Sequence, residues 1–138
     1  MRDNLVRHRH SAYLAQSRRC FYCGLPMWLS NPDSFATAHG ITPGQARLLK
    51  CTAEHLEARQ DGGQDTKQNI VAACFWCNQR RHKRKRAPDP DDYRLLVQQR
   101  LNKGRWHSQS LATRLLLPDH LQVARSSPQQ ASRCAVVG

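Results

Sequence analysis

A chain of 138 residues is the length of one small domain with a tail, and it excludes two large folded units. Its 22 Lys+Arg outweigh 10 Asp+Glu to give a formal charge of +12, so the expected partner is a polyanion, nucleic acid first. The longest apolar run, Ile70 to Trp76, is far below the roughly 20 residues of a membrane span, and Met1-Arg2-Asp3 leads into no signal-like stretch; a soluble, cytoplasmic protein without a membrane partner is expected.

Residues 1–17 place Leu5, Val6, Ala12, Tyr13 and Ala15 among basic residues, which suggests a weakly amphipathic, basic helix. Cys20-Phe-Tyr-Cys23-Gly24 reads as a tight knuckle, because a glycine after C-x2-C takes the awkward backbone angle while amides face the sulfurs. Residues 30–45, with Pro32, Gly40, Pro43 and Gly44, read as loop. Strands are expected over Leu48 to His55 and Ile70 to Ala73, joined by the polar stretch Glu57 to Asn69 with its Gly62-Gly63 turn. A helix should start at about Cys74 and run through the basic cluster to Pro88. Asp89 as N-cap, Pro90 at N1 and Tyr93, Leu96, Val97 and Leu101 on one face predict a second helix that stops at Gly104. Leu111 to Leu117 suits one more short helix, and the Ser- and Gln-rich Ser126 to Val137 suits a disordered end.

A mean hydropathy of −0.73 implies a thin apolar core that needs another staple. Six cysteines supply one. Cys20 and Cys23 form one C-x2-C pair and Cys74 and Cys77 another, which in a reducing compartment favours a structural four-cysteine zinc site over disulfides or redox pairs. Cys51 fits a small core residue and Cys134 a free thiol in the tail.

The ordered set Cys20-x2-Cys23, Glu54-His55, Gly62-Gly63, Asn69 and Cys74-x2-Cys77-Asn78 resembles the HNH endonucleases over about residues 18–86. The resemblance implies an α+β fold, a small ββα-metal (His-Me finger) unit stapled by zinc with flanking N- and C-terminal helices. The strand, loop, strand, helix order read from the residues agrees with it. The division expected is a basic helix over 1–17, a nuclease core over 18–87, a packed helix over 88–104 and a tail over 105–138.

By the same resemblance His55 is the general base, Glu54 and Asn78 hold a catalytic Mg2+ or Mn2+, and Asn69 ties down the loop that carries the base. The chemistry suits these roles. An imidazole is largely neutral near pH 7 and can take a proton from water. Oxygen donors suit Mg2+, as thiolates suit zinc. The substrate implied is double-stranded DNA, cut to 5′-phosphate and 3′-hydroxyl ends. Asn69 serves equally as an ordinary turn residue before Ile70, and His82 as a solvated surface side chain. Arg80, Arg81, His82, Lys83, Arg84, Lys85 and Arg86 read as a clamp on the phosphate backbone, with Arg81 nearest the ion. Glu54 stands where Asp or His is commoner in the family, Ala58 where proline is, and Asn78 where many members have His. On a regular strand Glu54 and His55 face opposite ways, so a shared site requires the strand to break beside them. The competing reading is a zinc-stabilised nucleic-acid-binding module without catalysis.

Overall fold

The structure is a computed structural model that describes residues 2–116. Helix α1 spans Arg2–Ala15 and turns back through Ser17 and Arg18, both at positive φ. It packs against the sheet, and Gln16 closes the joint by donating to the Ala72 carbonyl and accepting from the Ala72 amide. The knuckle follows. Cys20 donates its amide to the Leu25 carbonyl and Gly24 takes φ +76°, a left-handed value suited to glycine.

The expected loop at 30–45 is instead largely two short helices, α2 over Pro32–His39 and α3 over Pro43–Leu48. The prolines and glycine that suggested a loop are their end signals. Pro32 and Pro43 lie at helix starts, Asn31 caps α2, and Thr42 and Gln45 form a reciprocal capping box on α3. Gly40 closes α2 in the left-handed conformation. Because α3 runs to Leu48, strand β1 starts later than expected, at Cys51, and covers Cys51–His55. It pairs antiparallel with β2, Ile70–Cys74, from Cys51↔Cys74 to His55↔Ile70. A 3-10 turn over Arg59–Asp61 lies in the connecting loop.

Cys74 caps helix α4, Phe75–His82, its sulfur accepting from the Cys77 amide. The helix stops before Lys83, short of the run expected up to Pro88. Lys83, Arg84, Lys85 and Arg86 offer no apolar face and repel one another at helical spacing, and Pro88 disfavours helix at the residue before it. Helix α5, Pro90–Asn102, matches the expected caps and buries Tyr93, Val97 and Leu101. Helix α6 covers Gln109–Leu116. Cys134 and residues 126–137 lie outside the described residues. No helix among the described residues is long and apolar enough to cross a membrane.

The core centres on the four knuckle cysteines with Tyr22, Leu25, Leu49, Tyr93, Val97 and Leu115. Cys51 is buried and free, with its thiol pushed up to about 12 by burial. The α+β unit is therefore small, and the four knuckle cysteines lie within its hydrophobic core.

Candidate functional site

The sulfurs of Cys20, Cys23, Cys74 and Cys77 are buried and lie within 4.8 Å of one another. The 3.9 Å between the Cys23 and Cys74 sulfurs is close to the about 3.8 Å edge of a tetrahedron with zinc–sulfur bonds of about 2.3 Å. Amides of Tyr22 and Cys74 point at Cys20 Sγ, and the Trp106 indole donates to Cys77 Sγ. Burial, followed by hydrogen bonding with neighbouring sulfurs, holds the Cys74 and Cys77 thiols well above their usual range, so four thiolates in this space require a compensating cation. His107, pushed down to about 4 by burial, is a neutral ring 4.0 Å from Cys74 Sγ. The donor set and its spacing fit zinc.

This cluster sits at the corner where β2 becomes α4, and α4 carries three side chains back to β1. Asn78 donates to Thr52 Oγ1 at 3.0 Å. Arg81, expected to hold a phosphate, is 2% exposed. All three of its side-chain nitrogens are committed, to the carbonyls of His55, Leu56 and Pro88, with Nη1 also 3.3 Å from Glu54 Oε2. Its place in the phosphate clamp is therefore withdrawn. A guanidinium offers a fork of donors and no acceptor, and three backbone carbonyls and a carboxylate consume that fork. His82 also departs from the clamp, because its Nε2 lies 2.8 Å from Glu54 Oε1.

Glu54 is 1% exposed and fully partnered. Tyr22 donates its hydroxyl to Oε2 at 3.1 Å. Burial, then the Glu54 charge, pushes the Tyr22 hydroxyl upward, so it remains a donor. Oε2 is thus occupied by Tyr22 and Arg81, while Oε1 faces His82 at the surface. Cis ligands of an octahedral ion at about 2.1 Å stand about 3 Å apart, so the Glu54–His82 pair has a spacing that one cation could accept, with Asn78 one helical turn earlier on α4.

The strand does not break between Glu54 and His55. Pairing continues through His55↔Ile70 and then from the Leu56 amide to the Asn69 carbonyl. The two side chains accordingly meet different partners. His55 Nε2 lies 2.7 Å from Asp65 Oδ1 and 3.2 Å from Arg59 Nε, and Arg59 Nη2 donates to both oxygens of Asp65. The hydrogen bond from His55, aided by the Arg59 charge, holds the Asp65 carboxyl below its usual range.

The Asn69 amide fastens the ends of this loop, accepting from the Glu57 amide and donating to the Glu57 and Gln64 carbonyls. Gly63 lets the strands of the loop close on each other, since a Cβ there would fall on the Glu57 carbonyl oxygen. Gly63→Ala is expected to open the loop and misplace Asp65. The His55 ring resonances should shift as its Asp65 contact is lost, while zinc content stays near wild type; unchanged ring resonances would leave Gly63 without this role.

Tyr22, Arg59 and Asp65 were not found from sequence. Tyr22 occupies one of the two positions between Cys20 and Cys23, and nothing in the spacing links it to residue 54. Asp65 had a faint signal, as an acid in a Gly-rich loop facing a predicted base.

The HNH endonuclease family model matches residues 20–84, a segment that includes both cysteine pairs, Glu54, His55, Asn69, Asn78 and His82. Over residues 20–84 the chain is similar to the HNH endonucleases. No curated protein and no solved structure matches the chain. In this segment the four-cysteine cluster anchors α4, and Arg81 ties α4 to the backbone of His55.

Proposed function

We propose that this chain is a divalent-metal-dependent endonuclease that hydrolyses phosphodiester bonds of double-stranded DNA, with His55 as general base. The observation that carries this reading is a buried carboxylate, Glu54, whose outward oxygen meets an imidazole, His82. The same HNH-like segment carries a second histidine, His55, with its own carboxylate. Glu54 and His82, with Asn78, would hold Mg2+ or Mn2+. Such an ion, when bound, stabilises the charge that builds on phosphate oxygens. His55 would take a proton from the attacking water. Exposed Arg80, Lys83, Arg84, Lys85 and Arg86 follow at the end of α4 and would hold the backbone through charge, without sequence readout.

One observation favours the non-catalytic reading. Arg81 already neutralises Glu54, so the buried acid alone does not require a metal. Plasmid cleavage across Mg2+, Mn2+, Ni2+ and Zn2+ separates the two. The wild type should nick with at least one of these ions, and His55→Ala should lose about 100- to 10,000-fold in rate while retaining DNA binding. DNA binding without cleavage under any ion replaces the nuclease with the binding module, and equal cleavage by the variant removes His55 from the role of base.

A further inference from the structure

We propose that Asp65 is a positioning residue that keeps the proton of His55 on Nε2, so that Nδ1 is the atom that receives the proton of water. This inference rests on the reading of His55 as the base. One nitrogen has two claimants. His55 Nε2 has a single in-plane site, yet it lies 2.7 Å from a carboxylate oxygen of Asp65 and 3.2 Å from Nε of Arg59. A carboxylate only accepts and a guanidinium only donates, so the two cannot both bond to it. The shorter contact decides. At that distance a bare ring lone pair would face an acceptor oxygen, so the ring proton lies between Nε2 and Asp65.

Arg59 has a better use for its donors. Its Nη2 lies 3.1 and 3.0 Å from the two oxygens of Asp65, holding the carboxylate ionised and oriented. The loop is held in turn by Asn69, whose amide donates to the Gln64 carbonyl, one residue before Asp65. A neutral imidazole with its proton on Nε2 carries its lone pair on Nδ1. In the reaction, Nδ1 takes a proton from water, whose oxygen uses the freed electron pair to bond to phosphorus. The bond from phosphorus to the 3′ oxygen breaks, and that oxygen keeps the pair and takes a proton from solvent. The imidazolium so formed already donates Nε2–H to Asp65, which stabilises its charge.

Asp65→Asn and Asp65→Ala test this by the order of their effects. In the Asn variant Arg59 claims the amide oxygen, so the amide nitrogen faces His55 and donates to Nε2. That moves the ring proton to Nδ1 and removes the base. The expected loss in Mg2+- or Mn2+-dependent nicking is on the order of 10,000-fold, as for a wrong-tautomer histidine. Alanine leaves the tautomer unfixed and should cost only about 10- to 100-fold. DNA affinity measured without added divalent ion should be unchanged in both.

A merely structural role predicts the reverse order, since Asn preserves shape and polarity where Ala does not. An Asn variant milder than the Ala variant overturns the proposal. Nitrogen NMR of the His55 ring, identified by its absence in His55→Ala and recorded about 1.5 units above an ordinary imidazole pKa, reads the tautomer without activity. Proton on Nε2 in the wild type and on Nδ1 in Asp65→Asn supports the assignment; proton on Nδ1 in the wild type overturns it. If none of the ions supports cleavage by the wild type, the nuclease reading falls, and these ring shifts still decide whether Asp65 fixes the His55 tautomer.

Discussion

Replacing Cys77 by serine, or stripping the cluster with a strong chelator, is expected to unfold the protein. The apolar core is small, and its centre is made of the four cysteines themselves. Structural zinc contributes on the order of 10–16 kcal/mol of apparent binding free energy, against net stabilities of about 5–15 kcal/mol for whole domains. Cys77 also ties α5 to the cluster. The Trp106 indole donates to its sulfur and the Tyr93 hydroxyl to its carbonyl, so α5 and the segment after it close over the same residue. Serine offers a harder, less reachable oxygen and leaves three crowded sulfurs. Zinc analysis and far-ultraviolet circular dichroism during chelation should show metal and helix lost together. A cooperative thermal transition persisting after complete metal removal would disprove the staple.

The second large effect is expected at Arg81. Arg81→Met keeps the length of the side chain but leaves Glu54 buried without its guanidinium, and leaves the carbonyls of His55, Leu56 and Pro88 without their donors. Removing one partner of a buried ion pair costs about 3–5 kcal/mol, because the remaining charge stays desolvated. Urea unfolding should show that loss. Combining the change with Glu54→Gln should recover part of it, since the uncompensated charge is gone. Below its unfolding temperature the single variant should bind DNA as the wild type does. Weakened binding with unchanged stability would return Arg81 to the phosphate clamp.

The parts of this protein legible from sequence share one property: their signal is local. The caps of α5, Asp89 and Pro90, act within one turn, and the C-x2-C pairs carry their geometry in their spacing. The strand pair was visible because β-branched and small residues flank a Gly-rich turn. Residues 30–45 misled because the same prolines and glycine that end a loop also start and stop short helices, and only the Thr42–Gln45 pairing tells the two apart. Around the candidate site the misses are contacts distant in sequence. Arg81 and His82 stand in a basic run of Arg, Lys and His, and nothing in that run says that two of its members turn inward to Glu54, 27 and 28 residues earlier in the chain. Helical phase comes nearest, since Cys77 and Arg81 are one turn apart on the side that α4 buries.

The loop that carries Asp65 is fastened by an amide, a guanidinium and a glycine, whereas the frame beneath it hangs on thiolates and aromatic rings. The two therefore draw on separate sources of cohesion. Substitutions at Arg59 and Asp65 should change how the imidazole is addressed at far less cost to the fold than substitutions among the four cysteines.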